Sequence, residues 1–534
     1  MAWAVPSVRS AGAGKSGSPR PSARRQARWY RGGFGLRPQR AKAVFIVKEE
    51  YAAVENQEGF VQHIASKAED FSQWYIDVVL RAELADYAPV RGCMVIRPHG
   101  YALWENMQSL LDARLKATGH KNAYFPLFIP ESFLRKEAEH VEGFAPEVAW
   151  VTKAGNEELP EPLVVRPTSE TVIGHMYAKW IKSWRDLPVL INQWANVVRW
   201  EKTTRLFLRT SEFLWQEGHT CHRTAEEAEE ETLKILDVYR QFLTEDLAIP
   251  VVAGQKTERE KFAGAVRTYC IEALMTDGRA LQAGTSHNLG QNFAKVFDIT
   301  YLDEDNELKH VWQTSWGVST RLIGGIIMVH GDERGLALPP KVAPVQVVIV
   351  PILTASSREA VLSAVGDIQQ RLSKVCRVEA DCREEYSPGW KFNEWELKGV
   401  PIRLEIGPRD LKAGQVVLVR RDTGEKTAAP MDGLEAAVVD MLDNVQKGLY
   451  LKAKRFVEDN TRLVEDYDSF KKILEGRRGF MDAPWCGEPA CEAAIKEETG
   501  ATIRCIPMGR SPRPGRCIRC GKDTDSWVYF ARAY

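Results

Sequence analysis

The sequence predicts an α+β domain built around an antiparallel sheet, then an α/β domain, then a small cysteine-rich C-terminal unit. Three observations carry this. Apolar alternating segments at Leu163–Arg166, Val189–Gln193, Phe207–Arg209 and Phe213–Gln216 read as antiparallel strands. From Val345 onward, strands alternate with helical patterns, as in a compact α/β domain. Five of the ten cysteines fall in the last 49 residues.

The first 48 residues hold eleven Lys and Arg side chains and no acid before Glu49. The stretch is rich in Ser, Ala, Gly and Arg and lacks an apolar core. It therefore fits an organelle transit peptide rather than a secretory signal, with residues 1–58 outside the folded domains. Delivery to plastid, mitochondrion or both is expected; the alternative is a basic arm that touches nucleic acid. Cleavage near residue 42 removes ten of the 72 basic side chains that balance 72 acids, leaving about −10. A nucleic-acid partner then requires locally focused positive potential. No apolar run approaches the ~20 residues that span a bilayer, so no membrane partner is expected.

Residues 59–338 carry the first domain. Phe71, Trp74, Tyr75, Val78 and Val79 give Glu69–Ala88 a helical spacing. A short strand at Val90–Pro98, a helix at Tyr101–Ala117 and a strand at Ala123–Pro130 follow, then helices at Glu170–Trp184 and Ala225–Leu243. Pro339, Pro340 and Pro344 mark a linker. In the second domain, residues 339–448, strands fall at Val345–Pro351, Arg377–Ala380, Ile402–Ile406 and Gln415–Arg420. Helices fall at Ser357–Val375 and Met431–Gly448. Residues 449–534 form the last unit.

Three clusters in the first domain point to one pocket. The first is Arg199-Trp200-Glu201, then Arg209-Thr210 and Phe213-Leu-Trp215-Gln-Glu217-Gly-His219. The second is Gln282-Ala-Gly-Thr285-Ser-His287, and the third Trp316-Gly-Val-Ser319-Thr-Arg321. Guanidinium forks meet phosphate oxygens in a bidentate manner and keep their charge at any working pH. Taken singly, an Arg-x-Glu pair is a surface ion pair and Thr168-Ser169-Glu170 a helix cap. The order and spacing of all the parts set them apart.

Together they resemble motifs 2 and 3 of class II aminoacyl-tRNA synthetases, and Arg166-Pro-Thr168-Ser-Glu170-Thr171 narrows the resemblance to prolyl-tRNA synthetases. The resemblance covers most of residues 63–340 and implies a class II synthetase-type catalytic domain, with an α/β anticodon-binding domain after it. The strand, long helix and strand around residues 90–130 are similar to the family's first motif, which builds a homodimer interface. His99 is a small departure, standing where the family more often shows an aromatic ring. No room is left for an inserted editing domain.

The resemblance also implies roles. Arg199 and Arg321 are catalytic, acting on ATP. Arg199, Glu201, Arg209, Thr210, Phe213, Gln282, Thr285, Ser319 and Arg321 hold ATP and its Mg2+. Thr168, Glu170, Arg199, Trp215, Glu217, His219, Phe262 and His287 hold L-proline, with tRNA(Pro) as the second substrate. A pocket of this size is expected to reject alanine poorly, since a few missing atoms are worth only ~1–3 kcal/mol.

Cys486-Gly-Glu-Pro-Ala-Cys491 and Cys517-Ile-Arg-Cys520-Gly521 have the spacing of two knuckles around one tetrahedral Zn2+, while Cys505 reads as a core thiol. Free or redox-active cysteines are the alternative. A cysteine-rich tail ending in Tyr534 is similar to the archaeal/eukaryotic type of prolyl-tRNA synthetase, whose terminal carboxylate reaches toward the active site. Between residues 391 and 426, eight basic and six acidic side chains form a weak candidate patch for the anticodon, with Arg409 and Glu396 foremost.

Overall fold

The computed structural model describes residues 64–138 and 148–534. The expected transit peptide lies outside the described residues. The framework is an 11-stranded sheet. Its strands in chain order are β1 (Lys121–Asn122), β2 (Val189–Val198), β3 (Glu212–His222), β4 (Val251–Gln255), β5 (Arg267–Leu274), β6 (Ala280–Gly290) and β7 (Trp312–Ser319), then β8 (Thr461–Leu463), β9 (Phe480–Pro484), β10 (Thr502–Pro507) and β11 (Trp527–Ala531). They lie side by side in the order β8-β9-β11-β10-β4-β5-β6-β7-β3-β2-β1. All neighbours run antiparallel except the two outermost pairs. The sheet of the first domain thus continues without a break into the C-terminal unit, because β10 pairs with the edge strand β4. Apolar periodicity shows which face of a strand is buried but not which edge it meets.

One face of the central strands is closed by the helix Ala225–Gln241, whose N-cap Thr224 accepts from the Glu227 N–H. Ile235, Leu236 and Tyr239 bury the helix against that face. The Trp316 ring turns the same way, edge-on to His120 and Tyr239. It occupies the space beside Gly218, where an added Cβ would come within 2.0 Å of the ring. Gly218→Ala should therefore destabilise the protein by about 1–3 kcal/mol, read as a lowered denaturation midpoint.

Several elements depart from expectation. The helix expected over Glu69–Ala88 ends at Arg81, and Glu83 turns the chain with φ 59°. The strand Ala85–Tyr87 then pairs with Met94–Ile96. The next helix begins at Pro98, where a missing N–H is harmless. Phe207–Arg209 is not a strand. Residues 205–209 close a tight turn, with Arg205 and Arg209 exchanging backbone hydrogen bonds of 2.7 and 2.9 Å. Leu206, Phe207 and Leu208 are all buried in it, which accounts for the apolar pattern. Leu208 presses on Gly324, and the Tyr75 hydroxyl donates to the Leu206 carbonyl.

The second domain has a five-stranded sheet, with Val347–Pro351, Val378–Ala380 and Ile402–Ile406 parallel and Gln415–Arg420 and Lys426–Pro430 antiparallel. Its last helix does not stop at Gly448 but runs from Leu434 to Asp459. The buried stripe Val438, Leu442, Val445 simply continues through Leu449 and Ala453. His99 ties the two domains, its Nε2 lying 3.1 Å from the Lys398 carbonyl.

Six of the eight basic residues between 391 and 426 are engaged by acids, for example Arg403 with Glu396 at 3.0 Å and Arg421 with Asp332 at 2.6 Å. The candidate patch is thus largely internally neutralised, and Glu396 belongs to that network. Arg409 is exposed on the short helix Pro408–Ala413 and has no ion pair among the described residues.

Candidate active site

On the face opposite Trp316, register decides which side chains meet. His219, Ser315, His287 and Thr268 stand directly opposite one another on β3, β7, β6 and β5. One row along the strands come Glu217, Gly317 and Thr285, and one further Trp215 and Ser319. Gly317 stands between Glu217 and Thr285, where an added Cβ would come within 2.9 Å of the Gln216 carbonyl oxygen. A cavity of about 300 Å³ opens above these rows.

Of the residues named from the sequence, Arg199, Phe213, Gln282, Thr285, Ser319 and Arg321 line this cavity, as do Thr168, Glu170, Trp215, Glu217, His219, Phe262 and His287. Glu201, Arg209 and Thr210 do not. Arg209 donates from Nε to Glu201 Oε2 at 2.8 Å, so the two occupy each other at the rim. The Thr210 hydroxyl turns away to the Glu212 carbonyl, 2.7 Å away. Lys256, Glu260, Thr268, Ser315 and Gly317 line the cavity as well, unforeseen. The Asp277-Gly278 pair is a hairpin signal that aligns β5 with β6, and with the bulge between Ile271 and Glu272 would have placed Thr268 beside His287.

Arg199 follows β2. Its Nε donates to the Pro167 carbonyl at 3.0 Å, and its guanidinium lies 5.3 Å from the Trp215 ring and 5.6 Å from that of Phe213. Arg321 opens the helix Arg321–His330 and donates from Nε to the Leu208 carbonyl at 3.1 Å. Burial lowers the pKa of Arg321, and the charges of Arg199 and Arg209 lower it further. Two guanidinium groups in the cavity and a third at its rim thus repel one another, and a polyanion relieves that repulsion.

Three carboxylates line the cavity; Glu260 pairs with Lys496 at 3.3 Å, and the other two differ. Glu217 is held by three partners: Ser169 donates to it at 2.5 Å, Gln193 at 2.7 Å, and His219 lies at 3.0 Å. Glu170 is the first residue of the helix Glu170–Trp180, where the helix dipole favours a negative charge. Only the Thr168 hydroxyl binds it among the described residues, at Oε2. The cap reading of this stretch does not hold, since the Ser169 oxygen accepts from no helix N–H and its hydroxyl donates to Glu217. Glu170 keeps an acceptor for a ligand.

Burial opposes charge on His219, but Glu217 and Glu170 outweigh it and raise its pKa. Burial opposes charge on Glu217 too, yet its donors lower its pKa. Glu217 therefore stabilises the fold above its ordinary value of 4.5 and loses that contribution as pH falls through its folded value. His219 contributes below 6.5 and loses it as pH rises through its raised folded value. The pair is worth most in mild acid. Glu217→Gln should lower the His219 pKa, measurable by NMR titration of the ring. His287 is pushed down to about 3 by burial and stays neutral.

In the C-terminal unit, the Sγ atoms of Cys486, Cys491, Cys517 and Cys520 all lie within 4.8 Å of one another. Cys486 is 3.7 Å from both Cys491 and Cys520. A tetrahedron with metal–sulfur bonds near 2.3 Å has edges of about 3.8 Å, so this donor set fits zinc. Cys505 is buried in β10 against Gly254, apart from the cluster. Tyr534 is not among the cavity residues. Its hydroxyl donates to Asp277 at 2.7 Å and its N–H to the Ala280 carbonyl, at the start of β6.

An antiparallel sheet carrying clustered arginines above a carboxylate-bearing cavity, with a separate α/β domain after it, defines a class II aminoacyl-tRNA synthetase. Comparison with known families agrees. Residues 150–330 match the tRNA synthetase class II core domain (G, H, P, S and T), 346–441 the anticodon binding domain, and 467–534 the prolyl-tRNA synthetase C-terminal domain. A proline–tRNA ligase of Natranaerobius thermophilus is 63% identical over 481 residues, which cover 90% of this chain and 99% of the relative. One from Alkaliphilus oremlandii is 61% identical over 475 residues, 89% of this chain and 98% of the relative. Proline–tRNA ligase 2 of Clostridioides difficile is 59% identical over 480 residues, 90% and 99%. The chain belongs to the prolyl-tRNA synthetase family.

Proposed function

We propose that this chain activates L-proline with ATP and transfers the prolyl group to tRNA(Pro). One observation carries the reading: a buried carboxylate with spare acceptor capacity, Glu170, shares a 300 Å³ cavity with Arg199 and Arg321 and with the rings of Trp215 and Phe262. A secondary ammonium has two N–H donors, which suit the Glu170 carboxylate. The compact apolar ring fits between Trp215 and Phe262.

No protein nucleophile is needed. The proline carboxylate attacks the α-phosphorus, forming the carboxyl–phosphate bond of prolyl-adenylate as the bond to pyrophosphate breaks. A terminal ribose hydroxyl of the tRNA then attacks the prolyl carbonyl, its proton is lost, and AMP leaves. Arg199 neutralises charge that grows on the α-phosphate. Phe213 and Arg321 sandwich the adenine, and Arg209 exchanges Glu201 for the γ-phosphate. Class II synthetases use ATP with Mg2+, which supplies further positive charge at the phosphates; Gln282, Thr285 and Ser319 are the polar groups on hand for nucleotide and ion. A catalytically silent, RNA-binding relative is the other reading. Proline-dependent ATP–pyrophosphate exchange separates the two, since a silent protein gives none.

The chain further reads as an archaeal/eukaryotic-type enzyme and a homodimer. The first is a statement about domain content, supported by the cysteine-rich unit after the anticodon-type domain; the relatives above are bacterial. The second is supported by exposed Tyr87, Val95, Tyr101 and Tyr124 on the elements that resemble the family's first motif. Cys486, Cys491, Cys517 and Cys520 would hold a structural Zn2+, and purified protein should carry one equivalent by metal analysis. Delivery to plastid or mitochondrion rests on the composition of residues 1–48, and a reporter fused to residues 1–60 would sort to an organelle.

A further inference from the structure

We propose that the C-terminal unit shapes the amino-acid side of the cavity, with Glu492 and Arg504 as positioning residues for the wall formed by residues 256–262. This rests on the reading of the cavity as the site of proline activation.

Lys256, Glu260 and Phe262 face the cavity from this segment. It contains no regular helix or strand, so its shape depends on individual ties. Thr257 is the hub. Its carbonyl accepts the N–H groups of Glu260 at 3.1 Å and Lys261 at 3.0 Å, and its hydroxyl donates outward to Glu492 Oε1 at 2.9 Å. Thr257 and Glu492 are each 3% exposed, so water does not substitute for either. The Phe262 N–H is fixed by the Thr268 hydroxyl at 2.9 Å, and that same hydroxyl lies 3.0 Å from His287 Nδ1. Thr257 therefore shapes the turn that leads into Phe262, while Thr268 holds the Phe262 N–H and the ring lies 4.7 Å from the His287 ring.

At the other end of the wall, Lys256 Nζ donates to the Arg504 carbonyl at 2.8 Å and to Glu272 Oε1 at 2.9 Å. Arg504 grips the same carboxylate through Nε at 3.0 Å and Nη2 at 2.9 Å. Glu272 is fully buried on β5, so one anion serves two cations drawn from different units. Removing one member of such a set leaves an unbalanced buried charge, and the rest rearrange. A third, weaker tie joins Lys496 to Glu260 at 3.3 Å.

These ties come from two elements of the C-terminal unit: β10, which carries Arg504, and the helix Pro489–Thr499, which carries Glu492 and Lys496. Glu492 follows Cys491 on that helix, so one rigid element links the thiolate cluster to the cavity wall. Neither Glu492 nor Arg504 lines the cavity. Both act through the wall.

The test compares the full chain with Glu492→Leu, Glu492→Gln and Thr257→Val. It reads KM for proline and kcat in ATP–pyrophosphate exchange, and amide hydrogen exchange across residues 256–262. Displacing positioned groups by an ångström can cost up to about 100-fold, and a loosened wall should raise KM for proline by about 10-fold with kcat nearly unchanged. Amide exchange in 256–262 should accelerate in Glu492→Leu and in Thr257→Val, which cuts the same tie from the catalytic side. Glu492→Gln keeps an acceptor and should restore KM. An unchanged KM in a variant whose wall exchanges faster, or a Gln variant as impaired as the Leu variant, overturns the proposal. Wild-type protein without proline-dependent exchange overturns the functional reading instead, while amide exchange still reports whether the ties hold the wall.

Discussion

Arg199→Ala should lower kcat for proline-dependent ATP–pyrophosphate exchange by about 100- to 1000-fold, the size of effect seen when one group that stabilises developing charge is removed. The structure gives Arg199 three properties that such a group needs. It lines the cavity, it is held from outside by the Pro167 carbonyl, and its plane is flanked by Phe213 and Trp215. Burial lowers its pKa while Glu170, Glu217 and Glu201 raise it, so the cation is poised among acids rather than solvated. Arg199→Lys should recover little, because an ammonium replaces a planar fork by a point charge. Substrate binding should weaken less than kcat, since the contact strengthens as charge grows on the α-phosphate. Equal losses in ground state and transition state would assign Arg199 to binding alone.

Glu170→Gln should raise KM for proline by about 100-fold, because charge-assisted hydrogen bonds are worth roughly twice neutral ones and the amide adds an unwanted donor. Affinity for ATP should change far less, since Arg199 and Arg321 remain. The distinction from Glu217 is the useful part. Glu217 already accepts from Ser169, Gln193 and His219, so Glu217→Gln disturbs a closed network and the His219 charge. Glu170→Gln cuts no such network and removes a cavity carboxylate that accepts only from Thr168 among the described residues. A Glu170→Gln enzyme with an unaltered KM for proline would move the ammonium site to another residue.

Much of the site was legible because its chemistry is concentrated in short runs. Trp215, Glu217 and His287 are separated in sequence, yet β3 and β6 set them side by side, and alternation along each strand tells which residues share a face. Arg199 arrives just after β2, Arg321 at a helix start, and Gln282 through the register shift opposite Ile271 and Glu272. What was not legible depends on pairing at a distance. Ser315 and Gly317 enter the cavity floor through the register of β7 with β3 and β6. Lys256 enters through a carboxylate and an arginine hundreds of residues apart in the chain.

The same reason explains the errors in the fold. Leu206, Phe207 and Leu208 are apolar because they plug a turn, and alternation alone does not separate a buried turn from a strand. Gly448 looked like a helix end, but Leu449 and Ala453 extend the buried stripe past it. Glu201 and Arg209 stand together at the rim as an ion pair of 2.7 Å, a pairing that spacing along the chain did not show.

The central claim is that this cavity selects proline for adenylate formation. The measurement that meets it most directly is ATP–pyrophosphate exchange with purified chain against each of the standard amino acids in turn. Proline should give the dominant, saturable signal, with alanine a weak second because the pocket discriminates poorly against a smaller side chain. Exchange driven instead by threonine, glycine, histidine or serine, or no exchange with any amino acid, would contradict the account.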